Sequence, residues 1–132
     1  MLSFFTPVRT AVIFSALIAV LAAFQLGLAL GMPWGEYALG GAYPGVLPPS
    51  VRLAAAAQIP ILIGFAIIAQ IRAGLYLERA KAVSHVLMWF IVVIFGVGVV
   101  LNTITPSAVE RQLWLPFAIG LFLSSLRLAR AA

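Results

Sequence analysis

Hydrophobic residues fill four stretches of the chain, Thr10 to Leu30, Leu53 to Ile71, Ala82 to Leu101 and roughly Leu113 to Leu126, and polar residues gather between them. A helix needs about 20 residues, at 1.5 Å rise each, to cross about 30 Å of hydrocarbon. In lipid every backbone polar group must find its partner inside the protein, and these runs lack the strict alternation of a barrel strand, so the pattern predicts helices. The fourth run is short by itself. Ser107, with Glu110 three residues later, has the spacing of a capping box, which starts helix four near Ala108 and restores its length. The expectation is an all-α chain forming one four-helix transmembrane bundle over residues 1–132, with spans at about 10–30, 53–71, 82–101 and 108–128.

Composition narrows the class. Of 132 residues, 64% are hydrophobic and 8% charged, against about 25% charged in a soluble domain, which excludes a water-soluble globule. Arg9 ahead of an apolar run, with Ala22-Ala23 inside it, imitates a secretory signal, but the run continues to Leu30 and outlasts a signal core of about 7 to 15 residues. It reads as a retained helix. The absence of cysteine removes disulfides, thiolate catalysis and thiolate metal sites, and a lone His85 provides no multi-histidine metal site within one chain. No cofactor is expected.

The net charge of +5 raises nucleic acid as a partner, but its distribution fits a membrane better. Arg9, Arg72, Arg79, Lys81, Arg127 and Arg130 flank one side of the spans, and only Arg52 and Arg111 fall on the other. This positive-inside asymmetry predicts cytoplasmic termini and a cytoplasmic turn between spans two and three. The segments 31–51 and 102–112 are then the outer loops. On the inner side, Gly74 is placed to stop helix two, and Leu75 to Lys81 suits the headgroup region.

The first outer loop, Gly31 to Val51, holds five glycines, four prolines, Trp34, Tyr37 and Tyr43, with one acid, Glu36, and one base, Arg52, just past its end. Such a composition predicts a defined shape rather than a slack connector. Gly27 and Gly31 form a GxxxG pair, and Gly96 and Gly98 recur in span three; these predict close helix packing within the bundle, with a homo-oligomer seam as the alternative. Pro60 and Pro116 sit inside spans, where a proline either kinks the helix or occupies its first turn.

No Asp, Glu, Lys or Arg occupies the middle of a span. This counts against a proton-coupled exporter, whose mechanism needs such a carboxylate, and leaves no polar ring for an ion pore. The polar residues instead collect near the outer side: Gln25, Glu36, Tyr37, Tyr43, Arg52, Gln58, Asn102, Thr103, Thr105, Glu110 and Arg111. Together with Trp34 they form an expected vestibule for an amphiphilic ligand, in which Trp34, Glu36, Tyr37, Tyr43, Arg52, Gln58, Asn102 and Arg111 are the chosen contacts. The plainer alternative pairs Glu36 with Arg52, makes Glu110 a cap of helix four and leaves Arg111 to solvent or phosphate. For an enzyme, Glu36 beside Trp34 and Tyr37 is the best candidate acid or base, with Arg52 binding an anionic group. His85 is either a haem ligand or proton relay, or a hydrogen-bond partner of a neighbouring helix, the commoner role. Trp34 and Trp114 fall at the expected outer boundary, where tryptophan anchors helices.

The segments Pro33-Trp-Gly35, Ala38-Leu-Gly-Gly41, Pro44-Gly-Val-Leu-Pro48 and Asn102-Thr-Ile-Thr-Pro-Ser107 resemble short four-span bacterial integral membrane proteins with no assigned activity. The resemblance spans most of the chain and implies a bacterial inner membrane, without a reaction or cofactor. The expected function is non-enzymatic: a membrane protein whose outer loops hold a lipophilic ligand or a membrane partner. A small membrane enzyme using Glu36 is the second reading and a small transporter the third.

Overall fold

The computed structural model of the chain describes residues 4–131. Its four α-helices, α1 (Pro7–Ala29), α2 (Pro49–Arg72), α3 (Lys81–Ile104) and α4 (Ala108–Ala129), coincide with the four apolar runs, and each is long and apolar enough to cross a membrane. Among the described residues there is no strand. Three short 3-10 turns, Gly35–Tyr37, Leu39–Gly41 and Glu78–Ala80, lie between the helices.

The helices extend beyond the apolar runs for local reasons. Pro7 and Pro49 open α1 and α2, a position where the missing N–H costs nothing, so α2 begins before the expected residue 53. Thr6 Oγ1 accepts from Arg9 N–H at 3.2 Å and caps α1. α3 continues to Ile104 because Asn102 and Thr103 donate side-chain hydrogen bonds to the carbonyls of Gly98 and Val99, each at 2.8 Å. Polar residues that look like loop thereby complete a helix. α4 starts at Ala108 as expected, with Ser107 Oγ accepting from Glu110 N–H at 3.1 Å. The box stays half closed, since the Glu110 carboxylate turns to Thr105 Oγ1 at 3.0 Å.

α1 and α2 stop in the same way. Met32 N–H bonds Gly27 O across Gly31, at φ 97°, and Leu75 N–H bonds Gln70 O across Gly74, at φ 85°. Glycine alone adopts that left-handed turn without strain. Pro60 and Pro116 lie well inside α2 and α4, past the first turn, and therefore each removes one helical hydrogen bond.

α1 packs chiefly on α2 and α4, and α3 chiefly on α4. The shared core holds Phe14, Ile18, Met88, Ile91, Leu121 and Leu128, with Phe95 meeting Phe14 and Phe65 edge-on at 5.8 and 5.9 Å. Lipid tails give apolar helices no hydrophobic reason to associate, so close contact carries the packing. Gly120 lets Leu17 of α1 approach α4, and Gly96 lets Phe122 approach α3; an added Cβ would sit 3.2 and 3.3 Å from those side chains. The outward surface is apolar as well, with Val20, Leu53, Phe90 and Val93 all exposed, the reverse of a bundle built for water. Three buried serines are satisfied within their own helix: Ser84 donates to Lys81 O, Ser124 to Gly120 O and Ser125 to Phe122 O. A polar chain, Tyr76 OH to Gln70 to Ser15, ties α2 to α1.

The two ends of the bundle differ. Residues 30–48 and 105–107 form the loop end, and the turn 73–80 lies with the chain termini at the other, where Arg127 Nε donates to Phe5 O at 3.1 Å and Arg72 to Ala131 O. Arg72 is buried, and its Nε and Thr10 Oγ1 are the buried polar side-chain atoms without a partner among the described residues.

Candidate functional site

The loop after α1 folds back on its own helix. Trp34 stacks on Phe24, with ring centroids 5.9 Å apart and planes 9° from parallel, and covers Gly27, where any Cβ would lie 2.0 Å from the indole. Gly27 and Gly31 thus serve the loop and the turn rather than a helix–helix seam. Gly35 N–H bonds Gly45 O at 2.8 Å, and a Cβ on Gly35 would lie 1.8 Å from the Tyr43 carbonyl. Leu39, Gly40 and Gly41 follow with φ of 53°, 68° and 76°, a left-handed curl that brings the two glycines against Pro106 and Ser107. Ser107 Oγ donates to Glu36 O, and Trp114 Nε1 donates to Tyr37 O at 2.9 Å. The loop's conformation is held by backbone contacts and by aromatic side chains of α1 and α4.

A groove of about 260 Å³ runs between α1, α3 and α4, smaller than the roughly 300 to 1,000 Å³ of usual ligand pockets. α4 supplies Glu110, Trp114, Phe117, Ala118 and Leu121, which recur at helical spacing on one face; α3 supplies Ile94, Phe95, Gly98 and Asn102; α1 supplies Leu21 and Phe24. α2 supplies no lining residue. From Glu110 to Leu121 the face extends about 16 Å at 1.5 Å per residue. Only its loop end is polar, with Glu110 and Asn102; the rest is aromatic and aliphatic. Trp114 is the hub: its ring meets Phe24 at 4.7 Å and Phe117 at 5.4 Å, both tilted, and the bond to Tyr37 O fixes its orientation. Gly98 faces open space, with nothing within 4 Å of the position a Cβ would take.

No known protein family, curated protein or solved structure matches this chain. The site is therefore read from its own residues.

The groove contains Asn102 of the expected ligand contacts and little else of that set. Glu36 has an exposed side chain and enters the fold through its backbone carbonyl. It does not pair with Arg52, whose Nε and NH2 both donate to Ala29 O at 3.1 Å and cap the end of α1. The guanidinium finds a bare helix-terminal carbonyl nearer than the carboxylate. Arg111, expected to meet solvent or a ligand, donates to Thr105 O at 2.9 Å. Tyr37 acts through its carbonyl, Tyr43 is exposed, and Gln58 is exposed on α2 away from the groove. Trp34 supports the groove from behind by stacking on Phe24. Trp114, read as an interfacial anchor, is buried instead. His85 stands exposed on α3, with no side-chain hydrogen bond among the described residues.

Phe24, Phe95 and Phe117, aromatic residues in apolar spans, look like core in the sequence, and Trp114 looks like an interfacial anchor. A signal existed in α4, where Glu110, Trp114 and Phe117 fall on one helical face, and in α3, where Phe95, Gly98 and Asn102 do the same.

Proposed function

We propose that this protein binds a lipophilic ligand in the groove between α1, α3 and α4, and that it acts as a binding or accessory protein of the membrane rather than an enzyme. The observation that carries this reading is the groove itself, an aromatic channel with polar groups at one end only, which matches an amphiphile lying along the bundle with its head at the loop end. Trp114, in the middle of the lining, is held by its bond to Tyr37 O, so this wall needs little ordering when ligand binds. The excess of Arg and Lys at the terminal end favours cytoplasmic termini and an outward-facing loop end. The likeness of the loop segments to four-span bacterial proteins favours the inner membrane of a bacterium.

Gentle extraction followed by native mass spectrometry tests the binding reading. The expected result is one lipophilic species retained per chain after lipid is stripped from the surface. Bare protein under every mild condition contradicts it. Orientation is tested separately on the cysteine-free background by Ala42→Cys, whose exposed position should react with an impermeant thiol reagent from the non-cytoplasmic side; labelling from the cytoplasm alone reverses the assignment.

A further inference from the structure

We infer that the groove selects an amphiphile with a cationic head, a long-chain amine or quaternary ammonium, and that Glu110 with the aromatic faces of Trp114, Phe117 and Phe24 recognises the charge. The inference rests on the groove reading above and adds the ligand's chemical class. Glu110 is the one carboxylate lining the groove, and it is partly buried there. Its Oε2 accepts from Thr105 Oγ1, while its other oxygen has no partner among the described residues. The neighbouring base, Arg111, is turned to the Thr105 carbonyl, and among the described residues no basic group pairs with Glu110. A negative charge at the mouth of an apolar groove, left without a protein counter-ion, favours a ligand that brings one.

The surroundings fit a cation as well as a charge. Trp114 is one helical turn beyond Glu110 and Phe117 another, and Phe24 closes on Trp114 from α1 at 4.7 Å. Aromatic rings attract ammonium groups through their π faces, an indole most strongly, and all three rings line this groove. Asn102 donates one of its two amide N–H groups to Gly98 O and is uncharged, and no Lys or Arg lines the groove, so its end presents no charged donor for a phosphate or carboxylate head. Below the rings, Phe95, Ala118 and Leu121 receive only an apolar chain.

Wild-type protein in phosphatidylcholine nanodiscs, with empty discs as the partition control, is titrated with dodecyltrimethylammonium and with 1-dodecanol, which has the same chain and no charge. Glu110→Gln should weaken ammonium binding about tenfold, the size of one lost charged contact, and leave dodecanol unchanged. Phe117→Leu, which preserves apolar volume and removes no hydrogen bond, should weaken the ammonium about fivefold and the alcohol little. Equal ammonium affinity in wild type and Glu110→Gln, or parallel loss of both probes in Phe117→Leu, overturns the cation inference while dodecanol binding keeps the groove reading intact. If wild-type protein binds neither probe above the empty discs, the groove reading fails together with this one.

Discussion

The two ends of the bundle solve the same physical problem with different means. At the terminal end, backbone carbonyls are met by long basic side chains, Arg127 on Phe5 O and Arg72 on Ala131 O. At the loop end Arg52 and Arg111 do the same for Ala29 O and Thr105 O, but most of the order comes from glycine turns, an indole N–H and stacked rings. A basic side chain that caps a carbonyl needs only local reach. A groove needs rigid walls, and at the loop end the Trp114 indole is held by its bond to Tyr37 O and by the rings of Phe24 and Phe117. The contrast is between carbonyls capped by reach and a wall held by packing.

This division can be broken from its strongest member downward. Gly35→Ala places a methyl group against the Tyr43 carbonyl and should cost about 3 kcal/mol, releasing the loop while the terminal end stays folded. Thermal unfolding in detergent, with reactivity of a cysteine at position 42 reporting the loop, separates the two; a cooperative loss of both ends denies that they are independent. Arg52→Gln removes a charged double donor from Ala29 O and should cost about 2 kcal/mol in the same unfolding measurement, whereas Glu36→Gln, exposed and without a side-chain partner, should cost less than about 0.5. Equal effects would restore the Glu36–Arg52 pairing. Trp114→Phe keeps an aromatic ring in the groove but forfeits the bond to Tyr37 O, for an expected loss of about 1 kcal/mol and faster labelling at position 42. Leu77→Gly, at the terminal end, relieves a residue at φ 53° and should stabilise by less than about 1 kcal/mol without touching the ligand.

The fold was legible in the chain because lipid imposes it: apolar runs of spanning length must be helices, and Ser107 and Gly74 mark helix ends by simple chemistry. The site was less so. Charged and polar side chains attract attention in a sequence, yet Arg52 and Arg111 are spent on carbonyls whose positions depend on how α1 and α3 terminate in space. Glu36 meets α4 through its backbone carbonyl, which accepts from the capping Ser107 Oγ, while its carboxylate is exposed. Asn102 and Glu110 were visible as polar residues near the outer side, but the ring cluster that joins them required knowing that Phe24 of α1 meets Trp114 of α4, a contact between residues far apart in the chain. Gly98 shows the same limit: its small size reads as close packing, and in three dimensions it is the gap.

Gly98→Leu beside Arg52→Gln puts the central claim to its most direct test. Leucine at position 98 fills open space in the groove, meets no atom with its Cβ and improves helix propensity by about 0.5 to 1 kcal/mol. The account predicts that Gly98→Leu loses the lipophilic species seen by native mass spectrometry while remaining at least as stable as wild type, and that Arg52→Gln loses stability while each folded chain still carries ligand. Ligand retained by Gly98→Leu and lost from folded Arg52→Gln would place binding on the loop's charges and contradict the groove.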